Sequence, residues 1–219
     1  MLESMLIKKR TGVRWFHVDP SLQTDLSAVY EQVSGRPLVS YGNPRIVDGG
    51  PPGYSRCIEF VPGDGRDYYT FPYSGLNVPN IGVGDFDIST WYYPVTNGAQ
   101  VPFGDWVQST DKSNWMLWCN NGTVTFWFSP YNQGVPMLSS PAVIPLNQWV
   151  HLRVTRVKNV FTMYINGVAV ASLTSSATRA NQVGNMVTLG IYQNAQGGFP
   201  DSLSQSFTGK VTDLRITCG

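Results

Sequence analysis

Fourteen aspartates and glutamates, two histidines and three cysteines are the groups with which this chain of 219 residues could do chemistry. Cleavage of a glycosidic bond by acid–base catalysis needs two carboxylates on one surface, one to protonate the leaving oxygen and one to act as nucleophile or base. A strand supplies them through a pattern such as Glu-x-Asp-x-x-Glu, and the acidic residues here are not spaced that way. Asp85 and Asp87 alternate as neighbours on one strand face do, and they read as structural or solvated. A serine triad built on His151 would need a nucleophile-elbow motif, G-x-S-x-G, which the chain lacks. His17 is the other histidine. Cys57, Cys119 and Cys218 form no CxxC pair and no Cys/His constellation, so a zinc site is not expected. The expectation is a protein that is not an enzyme.

Aromatic residues set among amides offer a different chemistry. A pyranose ring has an apolar CH face and a polar rim, so sugars dock on aromatic faces flanked by amide and hydroxyl groups. Trp106 lies in a Gly/Asp/Ser loop, and Trp127 points away from the apolar set of its own strand. Tyr131-Asn132-Gln133 and Tyr192-Gln193-Asn194 combine an aromatic with amides in turn-rich segments. Trp106, Trp127, Tyr131, Tyr192 and Asn194 are therefore the candidate ligand-binding residues. The stretch 192–199, YQNAQGGF, is expected to be exposed. The alternative for each aromatic is a packing role over the second sheet or at a subunit contact.

The elements that must position these groups are mostly strands. From Trp149 onward, Val150, Leu152 and Val154 alternate with His151, Arg153 and Thr155, which gives one apolar and one polar face. Lys158-Asn159 makes a turn, and Asn166-Gly167 is the strongest two-residue hairpin signal because both residues tolerate positive φ. Counting outward from it pairs Ile165 with Val168 and Met163 with Val170. Val124, Phe126 and Phe128 share the apolar face of another strand, after a turn at Asn120-Asn121-Gly122. With 42% hydrophobic and 13% charged residues, 22 glycines and 15 prolines, the chain reads as an all-β, antiparallel sandwich or barrel. The net charge of +1, with no cationic run longer than Lys8-Lys9-Arg10, argues against nucleic acid as partner. No stretch approaches the ~20 apolar residues of a membrane span.

Residues 1–45 read differently. Asp19-Pro20 is a helix start, with an Asp cap and Pro at the first helical position. Leu22, Leu26, Val29, Tyr30 and Val33 recur at helical spacing, and Gly35 sits where a helix-ending glycine would. The pattern predicts an amphipathic helix over about 20–34 behind an extended arm, ahead of a sandwich at 46–219.

Four blocks, in order, resemble the laminin-G-like, concanavalin A-like (pentraxin-type) jelly rolls: FVPGDGRDYYTFP at 60–72, GDFDISTWYYP at 84–94, WVHLRVTRVKNVFTMYING at 149–167 and FTGKVTDLRI at 207–216. The resemblance implies a jelly-roll sandwich, with Trp91 and Trp149 as buried anchors, Gly167 at positive φ and Gly209 for close packing. It also implies a calcium ion between the early and last strands of many relatives. The corresponding blocks hold Glu59, Asp64, Asp67 and Asp213, with Asp67 and Asp213 as first candidates. Thr212 stands where the family often has Asp, which departs from the calcium pattern. Calcium is the only cofactor in view, and none is required. Three reduced, buried thiols are expected, or a Cys57–Cys218 disulfide if the strands carrying them pair.

The fold usually works outside cells, yet the N-terminus shows neither the apolar region nor the cleavage site of an export signal. A virion protein made in the host cytoplasm reconciles the two. The leading expectation is a non-catalytic structural protein on a virion surface, a phage capsid decoration or a head or tail fibre component. Residues 1–45 would attach it, and the sandwich would display a binding or adhesion surface. Its expected partners are other virion proteins, further copies of itself and cell-surface glycans. The alternative is a carbohydrate-binding, lectin-like module of a cellular protein. In neither case does it insert into a membrane.

Overall fold

The computed structural model describes residues 13–61, 67–72, 81, 84–107, 114–128, 137–178, 186–192 and 206–219. They form two stacked antiparallel sheets. The larger runs, in spatial order, through β15 (Val168–Thr174), β14 (Val160–Ile165), β13 (Val150–Val157), β8 (Phe86–Pro94), β17 (Gly209–Cys218), β6 (Arg56–Phe60) and β5 (Arg45–Asp48). β1 (Val13–Val18) pairs with β17 beside this path. The smaller sheet runs β12 (Met137–Ser139), β11 (Thr123–Phe128), β10 (Trp115–Asn120), β9 (Gln100–Asp105), β16 (Met186–Leu189), β7 (Tyr68–Pro72) and β4 (Val39–Tyr41).

Alternation decides which side chains meet between the sheets. Along β8, Phe86, Ile88, Thr90 and Tyr92 turn inward, while Asp87, Ser89, Trp91 and Tyr93 turn outward. Val150, Leu152 and Val154 do the same on β13, and Val124, Phe126 and Phe128 on β11, as the sequence predicts. Between the sheets the rings pack mainly by edges and tilts. Phe16 meets Phe71 at 5.5 Å, Phe103 meets Trp115 at 5.1 Å, and Phe161 lies 5.4 Å from Phe128. Gly209 has no Cβ because one would run into the Tyr93 carbonyl and the Phe207 ring.

The hairpin turns form where expected. Asn166 and Gly167 have φ of 49° and 81°, and Ile165 pairs with Val168. Two residues further, at Met163, the register differs from the expected count. A bulge places Met163 opposite Ala171, leaving Val170 as the extra residue. The three cysteines are free and buried. β6 does pair with β17, but Cys57 lies opposite Val47 on β5, and Cys218 lies opposite Phe86 and Val13, so the two thiols are not partners.

The N-terminal segment departs from the expectation of an arm and a helix. Asp19 accepts a hydrogen bond from Ser21 N and Pro20 follows it, but only one 3₁₀ turn forms, over Pro20–Leu22. Of the residues at helical spacing, Leu22, Leu26 and Val33 stay exposed, and Val29 is buried. The chain instead makes a small hairpin, β2 (Tyr30–Glu31) with β3 (Arg36–Pro37), and Gly35 serves its turn at φ 69°. Polar side chains outcompete the helix for backbone groups. Gln23 bonds both the N–H and the C=O of Tyr30, and the fully buried Glu31 accepts from the N–H groups of His17, Val33 and Ser34. Within 13–45, β1 joins the larger sheet and β4 the smaller, so this stretch is part of the sandwich and not an appendage to it.

Candidate functional site

The outward face of the larger sheet carries a cleft of about 700 Å³. Its floor is built by alternation, from Asp87, Ser89 and Trp91 of β8, His151 and Arg153 of β13, and Arg215 and Thr217 of β17. Trp149 precedes β13, and Asn166 sits in the hairpin turn. Pro52 and Tyr54, from the turn between β5 and β6, and Arg14 of β1 form the remaining wall. That turn is held by the bond from Gly49 N to Ser55 O at 2.8 Å, with Gly49 and Gly53 at φ 91° and 94°.

Asp213 is the centre of the polar wall. β17 bulges against β8 between Thr212 and Arg215, and Asp213 takes a left-handed φ of 52° there. That conformation is uncommon for a residue with a Cβ. The bulge faces its carboxylate toward β1 and Tyr54. Oδ1 accepts from His17 Nε2 at 2.9 Å and from Arg215 Nε at 2.5 Å, and Oδ2 accepts from Tyr54 Oη at 2.5 Å. Burial alone would raise the carboxyl's pKa. The bonds from His17 and Tyr54 and the adjacent Arg215 charge outweigh it and hold the group below its ordinary value. The same burial and bond push the Tyr54 hydroxyl up to about 12. Arg14 Nη1 lies 3.3 Å from His17 Nδ1. A guanidinium can only donate, so Nδ1 accepts and the His17 proton sits on Nε2, where it is given to Asp213. Arg14, His17, Asp213 and Arg215 thus form one continuous chain.

Across the cleft, Arg153 gives Asp87 two bonds, at 2.9 and 2.6 Å, and lies over the Tyr164 ring at 5.2 Å. The His151 ring lies 5.0 Å from Trp91, and Tyr54 approaches Trp91 at 6.5 Å. Burial lowers the His151 pKa, which favours the neutral ring. The cleft therefore offers two half-buried indoles and a tyrosine beside guanidiniums fixed in place. Such a surface can bind, because apolar faces with a few placed polar groups are what ligand sites require.

The expected site residues fall elsewhere or take other roles. Trp106, Trp127 and Tyr192 do come together, on the outward face of the smaller sheet. Trp106 and Trp127 meet at 6.0 Å, and Tyr192 packs 6.4 Å from Trp118 over Met116 and Val101. Tyr192 is only 3% exposed, because it is packed in this aromatic cluster; the rest of the stretch expected to be exposed, 193–199, lies outside the described residues. Tyr131, Asn194 and Asp64 lie outside the described residues. Trp91 and Trp149 are half-buried rather than buried anchors: Trp91 turns outward on β8, and both line the cleft. β8's alternation could have found Trp91, because the same period that buries Phe86 and Ile88 turns Trp91 outward. Nothing local in the sequence ties His17 or Tyr54 to Asp213.

Among the described residues, the calcium candidates do not gather round one point. Both oxygens of Asp67 accept backbone N–H groups, from Asn43 and Val61, and Asp213 is taken up by the cleft. Thr212 bonds the Arg56 carbonyl at one end of β6 and Asp67 bonds Val61 beyond the other, five residues away, which is roughly 16 Å along a strand. Glu59 pairs with Arg45 and Lys210. Among the described residues, His17, Asp19 and Asp213 are the one group whose ligand atoms lie close enough to share an ion. There the His17–Asp213 contact is a hydrogen bond, and Asp19 caps the 3₁₀ turn.

The profile of the laminin-G type described as the concanavalin A-like lectin/glucanases superfamily matches residues 64–217. No curated protein matches the sequence. Among solved structures, the chain is similar to domain 4 of AbnA, an extracellular arabinanase from Geobacillus stearothermophilus solved with arabinotriose. That match has 19% identity and a TM-score of 0.65, over 95% of this chain and 93% of that one. It is also similar to the botulinum neurotoxin serotype D binding domain, at 13% identity and a TM-score of 0.66, and to the binding domain of Paraclostridial Mosquitocidal Protein 1, at 15% and 0.65. Each toxin match covers 94% of this chain and 48% of the other, so the chain spans about half the length of those binding domains.

Proposed function

The chain belongs to the concanavalin A-like lectin/glucanases superfamily, and from that premise we propose that it is a non-catalytic binding domain that takes a carbohydrate in the cleft on its larger sheet. The observation that carries the reading is the pairing of two half-buried indoles, Trp91 and Trp149, with bonded polar groups in one concavity. Support comes also from the arabinanase domain, whose match runs nearly end to end and which was solved with a sugar. The non-catalytic part rests on the carboxylates. Asp87 is doubly bonded by Arg153, and Asp213 is held ionised by its three donors, so neither is placed to protonate a leaving group. Titration of oligosaccharides into the wild-type protein and Trp91→Ala tests the reading, with turnover of the same sugars measured alongside.

Composition alone supports the wider setting, which we propose as display on a virion among capsid or tail proteins: few charges, and many amide and hydroxyl side chains for an exposed surface. Recovery of the chain from purified particles tests it. Its absence from every particle of the native source would remove that setting and leave the binding domain.

A further inference from the structure

We propose that the ligand group recognised in the cleft is an anion, carried as a uronic acid carboxylate or a sulfate ester on the saccharide. The inference rests on the carbohydrate reading above and deepens it.

A neutral sugar hydroxyl both donates and accepts, so a site for neutral sugars needs acceptors with lone pairs to spare. The cleft's carboxylates are already engaged, Asp87 through two of about four lone-pair sites and Asp213 through three, and the other side-chain acceptors include the Ser89 and Thr217 hydroxyls. Both oxygens of Asp87 receive Arg153, and both oxygens of Asp213 are bonded, Oδ1 twice. The Asn166 amide oxygen already accepts from His151 N. Donors remain as well. Arg14 uses Nη1 alone and Arg215 uses Nε alone among the described residues, which leaves further N–H groups on each guanidinium.

Charge points the same way. Three arginines and two aspartates line the cleft, an excess of one positive charge, and His151 favours its neutral form. Arg14 and Arg215, each with one bond made, are also the two ends of the chain from Arg14 through His17 and Asp213 to Arg215. Arg215 is held by its short bond to Asp213 before any ligand arrives, which lowers the ordering cost of binding. An anionic oxygen acceptor matches the two guanidiniums better than a hydroxyl, because charge-assisted bonds to guanidinium are the stronger kind.

The test is calorimetric titration of the full chain with a panel of uronate-containing, sulfated and neutral oligosaccharides, at low and raised salt. The expected result is that an acidic member binds best and weakens as salt rises. Reducing its carboxyls to alcohols, or removing its sulfates, costs about tenfold or more in affinity, and Arg14→Gln costs about as much. The uronate and sulfate arms show which anion is taken. Because the modified ligand is tested on the wild-type protein, the result does not depend on how a variant folds. If a neutral oligosaccharide binds as tightly as any acidic one, and Arg14→Gln changes nothing while Trp91→Ala abolishes binding, the anion is overturned and the carbohydrate reading stands. If no saccharide of any charge binds, both fall.

Discussion

His17 and Asp213, 196 positions apart in sequence, share a 2.9 Å hydrogen bond that fastens the first described strand to the last at the wall of the cleft. Both side chains are nearly inaccessible to water, so the bond is not traded for water bonds without cost. It links the stability of the sandwich to the shape of its binding face, and several expectations follow from it.

Replacing Asp213 by Asn keeps the shape and removes the charge. The amide nitrogen that replaces one oxygen cannot accept, so either Tyr54 on one side or His17 and Arg215 on the other lose their acceptor, and the cost at neutral pH is about 1–3 kcal/mol, read by urea unfolding. The acid dependence has a definite sign. Asp213 has a folded pKa below its ordinary 3.8, so its contribution is present above that value and is lost as pH falls through the lowered folded value. Asp213→Asn flattens that acid limb. An unchanged limb would show that other carboxylates carry it.

Deleting residues 1–40 is expected to unfold the domain, because the deletion removes β1, with the fully buried Phe16 and Val18, and the hairpin that holds Glu31. Phe16→Ala alone should cost about 3–5 kcal/mol, measured by thermal or denaturant unfolding. A truncated chain that unfolds as cooperatively as the whole would return residues 13–40 to the status of an appendage.

Thiol reactivity reports the core directly. Burial pushes Cys57 up to about 11 and both Cys119 and Cys218 up to about 12, so none is a thiolate at neutral pH. Titration with an aromatic disulfide reagent should be slow in the native protein and give three thiols in denaturant. One thiol in denaturant would mean that two of the cysteines pair.

The two aromatic faces are separable. Trp106→Ala and Trp127→Ala, on the smaller sheet, should leave saccharide affinity within about twofold, since those rings pack on each other away from the cleft. A loss equal to that of Trp91→Ala would move the site to the smaller sheet.

The sandwich was legible because its information is local: the alternation in β8, β11 and β13 and the Asn-Gly turn act within a few residues. The same local reading misplaced the helix. The Asp19-Pro20 start and the spacing of Leu22, Leu26 and Val33 are real, but Gln23 and Glu31 claim the backbone groups that a helix would use. The cleft was harder still. The family resemblance marks Asp213 as a calcium candidate, whereas its partners here include His17 from strand β1 and Tyr54 from the turn before β6, which nothing local in the sequence points to. The family pattern implies that Trp91 is a buried anchor, although its own strand's period turns it outward.

The most direct test of the account is the affinity of Trp91→Ala for the best saccharide found with the wild-type protein, measured by calorimetry alongside the unfolding temperature of both. The expected result is a native-like unfolding transition with affinity reduced by about thirtyfold or more, as removal of a central aromatic contact costs about 2 kcal/mol. Wild-type affinity in a folded Trp91→Ala would contradict the placement of the ligand in this cleft.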